Sequence, residues 1–154
     1  MKGMAILLVD DEPLIRLSMV DALEAVGYDV RAAASGTEGL DVLRQKTFDL
    51  VITDLRLPAG DGLGVLRAVK AVDAHIPVVV MTAYGGVQDA VAAMKEGAYD
   101  FIGKPFHRDQ LLLAVEKALD RRRLATEVRG LRIRASGVER DVVSVSAPMR
   151  RLLE

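Results

Sequence analysis

A short continuous apolar run at residues 4–9 is followed by similar, apolar-rich runs at 28–33, 48–53, 77–82 and 98–103, at intervals of about 20 to 30 residues. A run of this length without polar alternation suits a strand buried on both faces of a parallel sheet. Between the runs, apolar residues fall at helical spacing: Leu14, Leu17, Val20, Leu23 and Val26; then Gly39, Leu40 and Leu43; then Leu63, Leu66 and Val69; then Val87, Val91 and Met94. This alternation predicts right-handed βαβ units, and so an α/β, doubly wound (βα)5 fold with a parallel five-stranded sheet and helices on both faces. Several boundaries are written into the chain. Pro13 fits the first turn of the first helix behind Asp11 and Glu12, Ser35 fits the cap of the second, and Gly27 and Gly97 fit left-handed positions that close the first and fourth.

Residues 109–134 contain no Pro and a single Gly, Gly130, and predict one extended C-terminal helix. Its first part carries Leu111, Leu112, Val115 and Leu119, which should pack on the sheet. Its second part presents Leu124, Val128, Leu131 and Ala135 among many arginines, a narrow stripe of the kind that forms a coiled-coil seam or docks along a partner. A solvated, charged helix that frays fits the same residues, because the stripe is shorter than two heptads and Gly130 interrupts it.

Charge separates the same two regions. Residues 1–120 carry 12 basic and 18 acidic side chains, a net −6, whereas residues 121–154 carry 9 and 4, a net +5, so the overall −1 conceals an acidic body and a basic tail. Cysteine is absent, which excludes disulfides, thiolate metal sites, iron–sulfur clusters and cysteine nucleophiles. With no Trp, three Phe and three Tyr, a base-stacking platform is hard to build, and Arg121-Arg122-Arg123 reads as a solvated linker face rather than a nucleic-acid contact. No apolar run approaches the roughly 20 residues that cross a bilayer. The N-terminus lacks the apolar core and cleavage site of a secretory signal, so a cytoplasmic location without membrane contact is expected. His75 and His107 have no metal-ligand partner at suitable spacing and are expected on the surface.

In a doubly wound sheet, ligands bind at the carboxyl ends of the strands. The first run ends in Asp10-Asp11-Glu12, the third in Thr53-Asp54, the fourth in Thr82-Ala83 and the fifth in Lys104-Pro105. Singly, each has an ordinary explanation: a cap or turn aspartate, a β-branched strand residue, a solvated lysine, a turn proline. Their coincidence at one sheet edge points instead to a site. Three carboxylates sharing a small pocket need a cation, and an all-oxygen donor set suits Mg2+. Asp10, Asp11 and Asp54 bring three negative charges, Lys104 returns one, and a divalent cation neutralises the rest. Such a site is poised to receive a phosphoryl group. A carboxylate can act as the nucleophile, forming an aspartyl phosphate, and the transition state asks mainly for positioning and countercharge, which Mg2+, Lys104 and the Thr82 hydroxyl can supply.

The segments Leu8-Val9-Asp10-Asp11-Glu12, Ile52-Thr53-Asp54-Leu55-Arg56-Leu57-Pro58, Val80-Met81-Thr82-Ala83-Tyr84-Gly85 and Tyr99-Asp100-Phe101-Ile102-Gly103-Lys104-Pro105-Phe106 resemble the receiver domain of two-component response regulators over about residues 4–120. The resemblance implies a flavodoxin-like strand order 2-1-3-4-5 and a regulatory phosphoacceptor rather than an enzyme. It implies that Asp54 receives the phosphoryl group from a sensor histidine kinase. Asp11 and Asp54 would bind Mg2+ directly, Asp10 through water, and Arg56 through its backbone carbonyl. Thr82 and Lys104 would hold the phosphoryl oxygens, and the Lys104–Pro105 bond would be cis. Thr82, Tyr84 and Phe101 would form the switch; Phe101 stands where many receivers have tyrosine, so a switch that depends on that hydroxyl is excluded.

The wording around Thr82 and Phe101 is most similar to receivers of the nitrogen-regulation and dicarboxylate-transport type, which precede a sigma-54-dependent AAA+ ATPase. Residues 142–153 resemble the opening of that ATPase, and no phosphate-binding Gly-rich loop with Lys follows. The expected organisation is a receiver at 1–120, a linker helix at 121–138 that forms a coiled coil through Leu124, Val128 and Leu131, and the first residues of a truncated effector at 139–154. Homodimerisation is expected through the linker and the face of the fourth helix, fifth strand and fifth helix. Three rival readings fit parts of this pattern. A flavin-binding module would want a Ser/Thr/Gly phosphate loop where Asp10-Asp11-Glu12 stands, and a haloacid-dehalogenase-type phosphatase would need an aspartate where Arg56 stands. A pseudo-receiver that works without phosphate is disfavoured by the intact set of chemical residues.

Overall fold

The computed structural model describes residues 3–57, 62–83 and 87–138, with side chains as far as residue 124. The chain divides into two units, Met1–Arg122 and Arg123–Glu154. Five strands, β1 (Ala5–Val9), β2 (Asp29–Ala33), β3 (Leu50–Asp54), β4 (Val78–Thr82) and β5 (Asp100–Gly103), alternate with α1 (Pro13–Val26), α2 (Gly36–Gln45), α3 (Gly62–Val72), α4 (Val87–Lys95) and α5 (Arg108–Val138). All pairings are parallel and the order is β2-β1-β3-β4-β5, as expected. No helix among the described residues is long and apolar enough to cross a membrane.

The period of two along each strand sends alternate side chains to opposite layers. Leu7, Val9, Val51, Val78 and Val80 meet Val65, Leu66 and Val69 of α3 and Ala93 of α4 on one face. Ile6, Leu8, Ile52, Val79 and Met81 meet Met19 and Leu23 of α1 and Leu111, Val115 and Leu119 of α5 on the other. Every residue of β1, β3 and β4 is buried, so each large strand side chain contributes on the order of 2 kcal/mol by burial, and these three strands form a rigid floor for what stands at their ends.

The strands begin one or two residues later than the apolar runs. Tyr28, Phe48 and Ala98 are buried anchors in the preceding turns, and Pro77, with no N–H to donate, contributes only its carbonyl, which accepts from Val51 N at 3.1 Å. The predicted caps are present: Pro13 opens α1, Ser35 Oγ accepts from Glu38 N at 3.1 Å, and Gly27 and Gly97 have φ of 111° and 108°. The long C-terminal helix continues through Gly130 to Val138.

Helical periodicity did not reveal which face is buried. α1 packs through Met19, Ala22 and Leu23 and leaves Leu14 and Leu17 exposed; α4 packs through Ala90 and Ala93 and turns Val87, Val91 and Met94 outward. In α4 the buried residues are alanines, which leaves its larger side chains to form apolar surface.

Candidate functional site

The polar residues that end four of the strands converge at the carboxyl edge of the sheet. Asp10 follows β1 directly; its N–H donates to Ala33 O at 3.1 Å and its side chain is fully buried. Its Oδ1 accepts from Glu12 N at 2.9 Å, a local Asx turn that aims the carboxylate inward. Asp54 ends β3, is 8% exposed, and its Oδ1 accepts from Arg56 N at 3.1 Å. Lys104, just beyond β5, places its ammonium between the two: Nζ is 2.7 Å from Asp54 Oδ2 and 3.0 Å from Asp10 Oδ2. The backbone holds this lysine, because Lys104 N donates to Thr82 O at 2.6 Å; the Lys104–Pro105 peptide is cis, as expected.

Thr82 closes β4 and is buried. Asp54 pairs with Met81 across the sheet, so Thr82 stands one residue beyond the level of Asp54 and opposite Gly103. Asp11 is exposed, yet one carboxylate oxygen from each of Asp10, Asp11 and Asp54 lies within 4.8 Å of the others.

Electrostatics follow from this packing. Burial pulls the Lys104 ammonium down, but its hydrogen bond to Asp54 and the close Asp54 and Asp10 carboxylates outweigh burial and hold it above the ordinary lysine value. One lysine cannot balance three carboxylates. Asp10 Oδ2 sits at ion-pair distance from Nζ but off hydrogen-bond alignment, and it is the one buried side-chain oxygen among the described residues without a hydrogen-bond donor. An orphaned buried oxygen inside an all-carboxylate cluster fits a hard, oxygen-seeking divalent cation such as Mg2+.

Asp10, Asp11, Asp54, Thr82, Lys104 and the Arg56 backbone are thus brought to one edge. The Arg56 guanidinium reaches away to Asp89 at the start of α4, at 3.0 Å; with side chains 77% and 45% exposed, this pair contributes between nothing and about 1 kcal/mol. The Phe101 ring is nearly half exposed. Tyr84 lies outside the described residues, as do the side chains of Val128 and Leu131 and all of residues 139–154; Leu124 is exposed. His75 and His107 are on the surface. Two contacts had no sequence signal. Arg16 Nη1 donates to the Asp10 carbonyl at 2.8 Å, and Gly62 packs so tightly that a Cβ there would overlap the Asp54 carbonyl oxygen.

Known proteins resemble this chain in sequence and fold. A family model described as the response regulator receiver domain matches residues 6–116. The C4-dicarboxylate transport transcriptional regulatory protein DctD of Rhizobium meliloti (strain 1021) is 40% identical over 128 residues, covering 83% of this chain and 28% of that protein. The transcriptional regulatory protein ZraR of Escherichia coli (strain K12) is 42% identical over 114 residues, covering 74% of this chain and 26% of its own length. The chain therefore spans less than a third of these relatives. Among solved structures, NtrX from Brucella abortus superposes with a TM-score of 0.82 at 36% identity, covering 94% of this chain and 32% of that one. A receiver domain protein from Clostridium thermocellum superposes at 0.75 with 35% identity, covering 79% and 98%. With the family match spanning the whole sheet and the acidic edge built from its strand ends, the chain belongs to the response regulator receiver domains.

Proposed function

We propose that this chain is a phosphorylation-dependent receiver. A sensor histidine kinase would transfer a phosphoryl group to Asp54 in the presence of Mg2+, and the change would control an attached sigma-54-dependent AAA+ activator through a homodimer. The observation that carries this reading is the Lys104 ammonium set between Asp10 and Asp54 beside a third carboxylate.

An Asp54 carboxylate oxygen attacks phosphorus as the P–N bond to the kinase histidine breaks, and the bond pair leaves with the imidazole. Arg56 N–H and Lys104 Nζ orient the carboxylate, so little reorganisation precedes attack. Lys104 and the Thr82 hydroxyl then serve the new phosphoryl oxygens. Asp10, Asp11, Asp54 and the Arg56 carbonyl would hold Mg2+, which when bound supplies the remaining countercharge. A groove lined by Leu14, Leu17, Ser18, Asp21, Phe106 and Arg108 adjoins the loops that carry Asp10 and Lys104, and its mixed apolar and polar lining suits the amphipathic kinase helix bearing the phosphohistidine.

Phosphorylation replaces one negative charge at Asp54 with nearly two. Attraction of Thr82 toward the phosphoryl group would shift the loop into α4, with Tyr84, and let Phe101 move inward, altering the face of α4, β5 and α5. Val87, Val91, Met94 and Phe101 give that face exposed apolar surface in this structure, which suits a dimer contact. Residues 1–120 act as the receiver, 121–138 as the linker and 139–154 as the start of an effector. A pseudo-receiver working without phosphate remains the second reading, and the test separates the two. Incubation with acetyl phosphate and Mg2+ is expected to add one phosphoryl mass to the intact chain, and EDTA is expected to prevent it; no gain would favour the pseudo-receiver. Dimerisation is tested by sedimentation of Leu124→Glu/Leu131→Glu, expected to shift the chain toward monomer; an unchanged distribution would remove the linker from the interface.

A further inference from the structure

Arg16 has no role in the reading above, yet it touches the site. It lies in the first turn of α1, and its side chain folds back six residues to donate from Nη1 to the Asp10 carbonyl at 2.8 Å. Among the described residues no carboxylate comes within ion-pair distance of its guanidinium. A positive charge is thus spent on a neutral backbone oxygen at the mouth of an acidic cluster.

That oxygen matters because of where Asp10 stands. β1 ends at Val9, so the Asp10 carbonyl lies past the ladder. The Asp10 N–H is fixed on Ala33 O and its Oδ1 on Glu12 N, leaving the carbonyl as the group that sets the plane of the Asp10–Asp11 peptide. Asp11 is exposed, and among the described residues its carboxylate accepts no hydrogen bond. Its place at the cluster therefore depends on the path of its own backbone, held on one side by that peptide plane and on the other by Glu12, whose N–H donates to Asp10 Oδ1 and whose carbonyl accepts from Arg16 N at 2.9 Å.

We propose that Arg16 is a positioning residue for the divalent cation: by fixing the Asp10 carbonyl it holds the Asp10–Asp11 peptide so that both carboxylates face the same point as Asp54. This rests on the proposed Mg2+ site. A guanidinium suits the task because it keeps its charge at every working pH and presents its donors in a rigid fork, whereas a lysine offers one mobile ammonium.

Two other roles make different forecasts. If Arg16 merely stabilised the turn, its loss would lower the melting temperature without changing Mg2+ affinity in the folded chain. If it acted as countercharge only, its loss would deepen the negative potential and tighten Mg2+ binding. Positioning forecasts weaker binding. The chain has no Trp, so the titration is best read from backbone amide resonances of the full chain, Glu12 and Arg56 above all, on adding MgCl2 at fixed ionic strength. Arg16→Met, which keeps the stem and removes donor and charge, is expected to raise the Mg2+ dissociation constant about 10-fold, the scale seen when the support of a metal ligand is removed. Arg16→Lys, which keeps the charge but not the fork, should fall between Met and wild type. An unchanged or tighter constant in Arg16→Met overturns the proposal. Should that variant not fold, the lysine variant decides it, with binding equal to wild type as the overturning result. If wild type itself shows no response to Mg2+, the metal site falls and this inference with it; a normal wild type beside an unchanged Arg16→Met removes this inference alone.

Discussion

Replacing Lys104 with methionine is expected to destabilise the chain by about 3 kcal/mol in the absence of divalent cations, because it removes the ammonium that balances a fully buried Asp10 and a nearly buried Asp54. For a domain of this size that corresponds to a fall in melting temperature of roughly 10 °C. Added MgCl2 is expected to restore a large part of the loss, since a divalent cation replaces the missing countercharge. The pH dependence has a definite sign. The folded pKa of Lys104 lies above its ordinary value of 10.5, so its contribution is complete below that value and is lost only as pH rises through the still higher folded value. The gap between wild type and Lys104→Met should therefore be flat across neutral and mildly alkaline pH and narrow only above about pH 10.5. Thermal melts with and without Mg2+ check this. A variant as stable as wild type, or one that Mg2+ does not help, contradicts the electrostatic account.

Gly62→Ala is expected to cost about 2–3 kcal/mol, and to do so through the site rather than the core. A methyl group on Gly62 would run into the Asp54 carbonyl oxygen, and its next neighbour is Leu55 Cα at 2.7 Å. Both are backbone, so no side chain can swing aside to relieve the overlap. Either β3 shifts at its end or the start of α3 moves outward, breaking the bond from Gly62 N to Leu55 O at 3.1 Å. Since Asp54 sits on the displaced peptide, phosphoryl uptake from acetyl phosphate should slow more than ten-fold even where the variant remains folded. Gly103→Ala serves as the control, because a Cβ there meets nothing within 4 Å. Equal stability and equal uptake in the two variants would show that the close approach at Gly62 has no consequence for the site.

Much of this architecture is legible in the sequence. β1, β3 and β4 are legible because each is buried on both faces and carries a concentrated apolar run, and the site is legible because a polar or charged residue, Asp10, Asp54 or Thr82, stands at the carboxyl end of each. The strand starts were less visible, since Tyr28, Phe48 and Ala98 extend the apolar signal into buried turns. Which face of α1 and α4 packs inward was hidden as well. Periodicity marks a stripe, and here part of it points to solvent: α1 packs through Met19 and Leu23 and leaves Leu14 and Leu17 exposed, while α4 packs through Ala90 and Ala93 and leaves Val87 and Val91 exposed. Arg16 and Gly62 could not have been assigned from the sequence. Their contacts depend on the path of the loops after β1 and β3, and neither a hydrogen bond to a carbonyl nor the absence of space for a methyl group leaves a mark in residue spacing.

The central claim is that Asp54, and none of its acidic neighbours, carries the phosphoryl group. Acyl phosphates are reduced by borohydride to the alcohol, which turns a phosphorylated aspartate into homoserine. After incubation with acetyl phosphate and Mg2+, reduction and peptide sequencing by mass spectrometry are expected to find homoserine at position 54 alone, and to find none in Asp54→Asn. Homoserine at position 10 or 11, or none at any position after a measured phosphoryl gain, would contradict the account.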